Sequence, residues 1–247
     1  MAQWTESAGS AVGGEDDTVP RMYVPVVCLG AALSGSGLLT ACSAAVSGAP
    51  VPVGGTVSGH VATQLSTLLP DPATFPPTYQ AIPLTGPALS AAAADLTGVP
   101  SGARVRPAGC APSAPPAAAD STAMMVGTDS GARATVTVEL TRTRQSFAEV
   151  RDELDRCGEL AVSRNGADST VRSDVLSSAG DDSIDVARTV ESHGAHVDLR
   201  QSMTARMGQA ADVRVTVTYM TFGTTAPDLA AVSELFDATL ARVRAAG

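Results

Sequence analysis

The sequence predicts an α+β fold in which an antiparallel β-sheet of about five to seven strands carries helices packed on one face. The first observation is the alternation along residues 133–141, where every second side chain is apolar: Ala134, Val136, Val138 and Leu140. This pattern is typical of a strand with one covered and one wetter face. Further alternating segments separated by turn sequences follow, and apolar stripes at helical spacing lie on either side of them.

An apolar run ends in Leu39-Thr40-Ala41-Cys42, which has the form of a lipobox. At such a sequence a lipoprotein precursor is acylated on the cysteine thiol and cleaved just before it. We therefore predict that residues 1–41 are a lipoprotein signal peptide and that Cys42 is the lipid attachment site. A weak transmembrane helix with an incidental cysteine is the alternative. It is disfavoured because Pro25 and three glycines shorten the uninterrupted apolar stretch.

The segment before the apolar run does not have the charge of a secretory leader. Such leaders begin with a positive region, but here four acidic residues precede Arg21. We expect that translation starts at Val19 or Met22, which gives a leader of ordinary length. A start at Val19 keeps Arg21 as the positive residue, and a functional cytoplasmic tail is the less favoured interpretation.

The charge of the chain argues against a nucleic-acid partner. The net charge is −9 overall and −6 for residues 42–247, because the first 41 residues hold four carboxylates and one arginine. There is no basic run of the kind that binds a phosphate backbone. Aromatic residues make up only 3% of the sequence, so we expect a core of Val, Leu, Ala and Met.

The N-terminal part of the mature chain is predicted to be a tether followed by a helix. Residues 42–57 are uncharged and rich in Ala, Gly, Ser, Pro and Val, which is typical of a flexible linker. Residues 58–247 are then expected to form a single domain. A short first helix is predicted before Pro70. Its apolar face consists of Val57, Val61, Leu65 and Leu68.

The next stretch reads as mostly irregular chain around one helix. Residues 75–79 are predicted to form a turn, and residues 80–84 an extended segment. Residues 87–96 are expected to be helical, since a proline suits the first helical turn. The segment 99–116 is rich in Pro, Ala and Gly and is predicted to be a loop.

A hairpin and a capped helix are predicted next. Residues 123–127 and 133–141 form its strands. Ser146 and Glu149 have the spacing of a capping box, in which each side chain satisfies a free amide group of the first helical turn. The face of the helix that follows consists of Phe147, Val150, Leu154 and Cys157.

The C-terminal part is predicted to be an antiparallel meander closed by a helix. Its strands are residues 159–163, 169–176, 183–190, 196–206 and 213–222. Turn sequences separate them, among them Asn165-Gly166. The last helix opens at Pro227-Asp228, and its apolar face consists of Leu229, Val232, Phe236, Leu240 and Val243.

Two cysteines lie in the predicted domain, Cys110 in the loop and Cys157 at the end of a helix. Two cysteines in an exported protein most simply form one disulfide. Such a bond would pin the irregular segment onto the regular core. Two buried free thiols are the alternative.

The polar residues do not assemble into a catalytic or metal-binding motif. His193 and His196 flank a predicted hairpin turn, with Glu191 and Asp198 nearby, and could bind zinc or nickel. A polar hairpin tip is the favoured interpretation, because no third ligand has suitable spacing. Asp181-Asp182 is interpreted as a turn rather than a pair of catalytic carboxylates. The sequence also lacks a nucleophile elbow and a phosphate-binding loop, so we predict no enzymatic activity, no metal and no cofactor.

Methionines are candidates for the lining of an apolar binding site, because the thioether adapts to irregular shapes. The candidates are Met124, Met203 and Met220. Simple filling of a core poor in aromatic residues is the competing interpretation for each of them.

Several short motifs together resemble those of mycobacterial envelope lipoproteins of unknown function, which are similar to the extracellular sensor domain of the Ser/Thr kinase PknH. The motifs are the lipobox, Leu69-Pro70-Asp71-Pro72, Pro76-Pro77-Thr78-Tyr79, Gly109-Cys110 and a helix ending at Cys157. The resemblance implies a central antiparallel sheet and a cleft that binds an unknown ligand. The chain departs from the kinase sensor in having one cysteine pair where two are expected, and no kinase domain.

These observations together predict a lipid-anchored protein on the outer face of the cell membrane. We expect it to bind a small apolar or glycolipid ligand without chemistry, as a sensor or a carrier. The alternative is a protein-interaction module that docks another envelope component through a sheet edge or its acidic surface.

Overall fold

The computed structural model describes residues 57–113, 118, 120–177, 183–193, 198–223 and 225–247. The predicted signal peptide, Cys42 and residues 42–56 of the tether lie outside the described residues. So do Asp181-Asp182 and His196.

The described part of the chain contains one sheet, in which every neighbouring pair of strands is antiparallel. Its strands are β1 (Gln80–Leu84), β2 (Arg104–Arg106), β3 (Thr122–Asp129), β4 (Ala134–Arg142), β5 (Glu159–Arg164), β6 (Ala167–Ser177), β7 (Ser183–His193), β8 (Asp198–Ala210) and β9 (Val213–Phe222). Their order across the sheet is β1-β3-β4-β9-β8-β7-β6-β5-β2. The predicted antiparallel α+β fold is therefore confirmed.

The number of strands is higher than the five to seven predicted, since nine are described. The shortest, β2, lies within the segment predicted to be a loop. It is only three residues long and pairs with β5, more than 50 residues further along the chain. Local alternation cannot reveal a strand that short, because its hydrogen-bond partners lie far away in the sequence.

Four α-helices accompany the sheet in the described residues: α1 (Leu65–Leu68), α2 (Gly86–Thr97), α3 (Phe147–Arg156) and α4 (Leu229–Ala246). The predicted capping box at the start of α3 is confirmed, since Ser146 and Glu149 each bond to the backbone of the other. At α4 the Asp228 side chain accepts a bond from the Ala231 amide. Both caps satisfy amide groups that have no partner inside the helix.

One face of the sheet, which we call the α4 face, carries the main core. Aliphatic side chains of β4 and β9 pack there beneath α4 and α1. Its most deeply buried members include Leu65, Val136, Val138, Leu140, Val213, Val215, Val217, Leu235 and Val243. The predicted stripe on α4 is confirmed from Val232 onward, whereas Leu229 is 55% exposed.

The opposite face, which we call the α3 face, is also covered by helices, so the prediction of helices on one face is wrong. Val150 of α3 packs against Ile184 and Val186 of β7. Beyond α3, the chain around Val99 and Cys110 covers a second apolar cluster on β5–β8. The reason is that β5–β8 carry apolar side chains on this face, which would otherwise lie in water.

The predicted disulfide between Cys110 and Cys157 is present, with Cα atoms 5.5 Å apart. It joins the irregular chain before β3 to the end of α3. The two cysteines are 47 residues apart in the sequence. Closing a loop of that length contributes about 4 kcal/mol in the chain-entropy model.

The predicted first helix is only partly correct, because α1 begins at Leu65 rather than near Val57. Two acidic side chains, one just before β3 and one in the turn between β8 and β9, accept hydrogen bonds from the backbone amides at the start of α1 and upstream of it. Asp212 accepts from the Val61 amide at 2.9 Å, and Asp120 accepts from the Leu65 amide at 2.7 Å. These bonds hold the segment against the core in a non-helical form.

Arg142, at the end of β4, joins these groups into one network. Its Nη2 donates to the Asp120 carboxylate at 2.9 Å and to the Thr63 carbonyl at 3.1 Å. Its Nη1 donates to the Val61 carbonyl at 2.8 Å and to Asp212 at 3.3 Å. The Arg142 side chain is only 20% exposed, so the network is shielded from water and each lost bond is costly.

Substitution of Arg142→Ala is expected to lower the free energy of unfolding by about 2–3 kcal/mol, because two carboxylates and two carbonyls in this shielded network each lose a donor. Urea unfolding measures the change. Arg172→Ala is the matched control. Arg172 is 51% exposed and pairs with Glu159 and Glu191, so its loss should cost no more than about 1 kcal/mol. Equal effects would contradict the role of Arg142.

Candidate ligand-binding cleft

The centre of the α3 face is polar, although the same strands are aliphatic on their other side. We call this surface the threonine strip. It consists of Thr135, Thr137, Glu139 and Thr141 of β4 with Arg214, Thr216 and Thr218 of β9. Thr137 and Thr218 are nearly inaccessible, at 3% and 4% exposure. A polar surface this shielded must have other parts of the chain above it.

Helix α2 crosses over the threonine strip. It begins directly after β1, at one edge of the sheet. It ends at Gly98, which lies against Val190 of β7 and Val171 of β6 on the α3 face. Strands β3, β4, β9 and β8 lie between these two points, so the helix spans them.

Gly98 allows the helix to end this close to the sheet. Its φ angle is +72°, in the left-handed region that disfavours other residues. A Cβ atom at this position would lie 2.6 Å from Cγ2 of Val190. Both the conformation and the contact therefore require glycine.

Arg188 of β7 fastens the same end of α2. Its Nη1 donates to the Leu96 carbonyl at 2.6 Å, and its Nε donates to Ser173 at 2.9 Å. Burial lowers the pKa of the Arg188 guanidinium. The arginine satisfies a carbonyl of the last helical turn, which has no partner within the helix.

The apolar side of α2 is not fully packed onto the sheet. Leu89, Ala92, Ala93 and Leu96 form a stripe at helical spacing. Of these only Ala93 is buried, and the other three keep contact with solvent. The helix therefore covers the threonine strip with an apolar side that is incompletely buried, and we call the region between them the cleft.

Glu139 lies on the floor of this cleft. Burial by the surrounding chain raises the pKa of its carboxyl, although a hydrogen bond with Thr141 and the nearby Arg214 act in the opposite direction. The side chain nevertheless keeps partial contact with solvent. A carboxyl group that is both enclosed by protein and reached by solvent lies in a cleft rather than in the core.

Arg214 marks the side of the cleft next to α3. Its two Nη atoms are engaged by the Gln145 side chain at 3.0 Å, the Gln145 carbonyl at 2.6 Å and the Gln209 side chain at 3.0 Å. Its guanidinium carbon lies 5.4 Å from the centre of the Phe147 ring. Desolvation lowers its pKa, and its Nε atom is buried without a hydrogen-bond partner.

An apolar cavity of about 520 Å³ opens at the end of the sheet where β1 turns into α2. Its apolar walls come from the segment just after α1 and from β1, α2 and β3, and the main residues are Leu69, Pro70, Pro83, Leu84, Leu89, Met124 and Met125. Ser66 and Thr85 also line it. Thr122 at the start of β3 contributes a hydroxyl group to the same lining. We call this space the end cavity.

The structure separates the three predicted methionines into two places. Met124 is fully buried and lines the end cavity. Met203 and Met220 are cross-strand neighbours on the α3 face. Met203 belongs to the apolar cluster beneath Val99, while Met220 is half-buried and its sulfur accepts a bond from Gln201. A binding role for each of the three stays a prediction.

Sequence reasoning did not identify Glu139 or the threonines as a candidate site. The alternation along β4 was visible and placed their side chains on one face. They were assigned to a wetter face, because nothing local indicates that a helix 40 residues earlier passes above them.

The hairpin predicted to carry His193 and His196 falls largely outside the described residues. Within the described ranges, no group of three or more His, Cys, Asp and Glu side chains could hold a metal ion. Likewise, none of the helices described has the length and apolar character needed to cross a membrane. His60 lies on the surface, with its Nδ1 2.6 Å from Asp212.

Neither a family model nor a curated relative matches the sequence. The fold is similar to the extracellular domain of PknH from Mycobacterium tuberculosis, with 15% identity and a TM-score of 0.45, covering 74% of this chain and 98% of that one. It is also similar to an uncharacterized protein from Mycobacterium smegmatis, the Rv0999 ortholog, with 19% identity and a TM-score of 0.44, covering 70% and 92%. These likenesses confirm the predicted resemblance to the PknH sensor domain.

The environment of Glu139 predicts how stability varies with pH. Because its pKa is raised in the folded state, folding is favoured while the carboxyl is protonated, and this contribution is lost as the pH rises above the ordinary value. Glu139→Gln should therefore flatten the decline in unfolding free energy from about pH 5 to about pH 8, by an amount on the order of 1 kcal/mol.

Urea unfolding at several pH values measures this difference. Glu234→Gln is the control, because Glu234 is exposed on the outer side of α4. Parallel pH profiles for the wild type and Glu139→Gln would show that the carboxyl is well solvated and that the cleft is open to bulk water.

Proposed function

We propose that this chain is a lipid-anchored exported protein that binds a small apolar or glycolipid ligand in the cleft beneath α2, without chemical conversion. It would act as a sensor or a carrier. The observation that carries the proposal is the half-buried Glu139 on a floor of threonines, covered by a helix whose apolar side is incompletely buried. Burying polar groups in such a position costs folding free energy, and polar groups of this kind are typical of binding sites.

Export and anchoring are supported by two independent features. The disulfide between Cys110 and Cys157 is of a kind that persists in oxidising compartments outside the cytosol. The lipobox ending at Cys42 supplies an attachment point. In this proposal residues 42–57 are the tether and residues 58–247 are the binding domain, held at the outer face of the membrane by more than one acyl chain.

A second candidate function is docking of another envelope protein. Apolar side chains are exposed on the α3 face away from the cleft floor, with Ile82 at 59%, Leu199 at 57% and Phe222 at 49%. Phe222 and Leu199 lie at the same end of β9 and β8. Exposed apolar groups that lie together are typical of interaction surfaces.

The anchor is tested by Cys42→Ser. This change removes the thiol that would be acylated, so metabolic labelling with a lipid precursor should be lost and the protein should leave the membrane fraction. Cys28→Ser is the matched control, because Cys28 lies within the apolar run and outside the lipobox. Unchanged membrane retention of Cys42→Ser would mean that the apolar run itself crosses the membrane.

The cleft is tested by native mass spectrometry of the protein purified from an actinobacterial host. We expect an additional mass that is lost on denaturation. Thr216→Trp places an indole on the cleft floor and should reduce the occupied fraction about tenfold or more, because a filled site excludes the ligand.

Thr189→Trp is the control, because it introduces the same side chain outside the cleft. Thr189 lies on β7 with its side chain on the α4 face, beyond the strands on which α4 packs, so ligand occupancy should not change. A clean apo mass after incubation with envelope lipid extract would favour the docking function instead.

A further inference from the structure

The end cavity and the threonine strip are adjacent parts of one surface. Thr122 and Met124 of β3 line the cavity, and they are the cross-strand partners of Thr141 and Glu139 of β4. Directly opposed residues in an antiparallel pair project from the same face of the sheet, with Cβ atoms about 5 Å apart. The cavity and the strip are therefore separated by no more than one strand spacing.

The two parts differ in chemistry. The walls of the end cavity are mainly leucine, proline and methionine side chains, with Thr122 at the side facing the strip and with Ser66 and Thr85 also in the lining. Walls that are mostly apolar favour an aliphatic chain. A cavity of about 520 Å³ is within the range of small-molecule sites.

In the polar part, one hydroxyl group of the protein has no hydrogen-bond partner within the described ranges. The Oγ1 atom of Thr122 is shielded from solvent and has no hydrogen-bond partner among the described residues. A buried hydroxyl group without a partner is unfavourable, and a ligand hydroxyl at this place would satisfy it. Thr141 and the carboxyl of Glu139 lie next to it and bond to each other.

The surroundings of this place disfavour an anionic group. Burial disfavours the ionised form of Glu139. A negatively charged ligand group beside it would disfavour that form further, because like charges repel each other. The nearest cation, Arg214, has both Nη atoms engaged by Gln145 and Gln209 on the side next to α3, and only its buried Nε atom lacks a partner among the described residues. The strip therefore favours a neutral group that both donates and accepts hydrogen bonds.

We propose that the ligand is an amphiphile with one aliphatic chain in the end cavity and an uncharged, hydroxyl-bearing head on Thr122, Thr141 and Glu139. This inference rests on the proposed binding function and specifies the class of ligand. Recognition divides between the two parts: the cavity selects the chain, and the strip selects a neutral polyol head over a carboxylate or phosphate.

The test uses the full chain carrying Cys42→Ser, so that no attached lipid competes for the site. Two probes with the same sixteen-carbon chain are titrated below their aggregation limits: a monoacylglycerol and the corresponding fatty acid. We expect the monoacylglycerol to bind about tenfold more tightly at neutral pH, because the carboxylate would be desolvated without a cation.

Two near-isosteric variants assign the preference to the strip. Thr122→Val and Thr141→Val each remove a hydroxyl group, and each should weaken monoacylglycerol binding about fivefold to tenfold while leaving fatty-acid binding unchanged. Thr189→Val is the control on the other face. Thermal unfolding of each variant shows whether it is folded, and a folded variant with unchanged preference overturns the proposal.

The outcomes separate this inference from the proposed function. If a mass co-purifies with the chain but the monoacylglycerol binds no better than the fatty acid, the cleft binds a ligand and the proposed head group is wrong. If neither probe binds and no mass co-purifies, both proposals fail.

Discussion

The register between β4 and β9 is the constraint on which both the core and the cleft depend. Val138 faces Val217, and Thr137 faces Thr218, in a ladder that runs the full length of β4. Since successive side chains point to opposite faces, every aliphatic residue of the two strands enters the α4 face and every threonine except Thr221 enters the α3 face. A slip of one residue would exchange them and destroy the core.

The cleft is a place where the fold buries polar side chains outside its main core, and the proposed ligand binding would give this burial a function. The core beneath α4 consists of apolar side chains, and the threonine strip lies outside it. Helix α2 covers the strip and is held at its ends, by its connection to β1 and by Gly98 and Arg188. Departures from good packing of this kind are expected at functional sites.

The confirmed predictions concern residues that lie close together in the sequence, or residues whose chemistry allows one simple interpretation. The capping box at Ser146 and Glu149 formed as predicted. The Asn165-Gly166 turn adopts positive φ at both positions, as a tight hairpin turn requires. The pairing of Cys110 with Cys157 followed from there being two cysteines in the predicted domain. The predictions that were wrong each involve segments that are distant in sequence. They concern the strand β2, the helix expected from Val57 and the packing of helices on one face only.

By itself the sequence determined the antiparallel α+β class, the alternation of β4 and β9, the helix caps and the disulfide, because these arise from side-chain periodicity and short-range hydrogen bonding. Only the tertiary structure decided that Asp120 and Asp212 hold residues 61–65 in place, and that α2 crosses the threonine strip. The tertiary structure alone also decided that Glu139 is enclosed by the surrounding chain. Each of these features depends on which distant segments of the chain come into contact. Those contacts are set by the need to bury apolar side chains on both faces of the sheet, and no local sequence pattern reveals them.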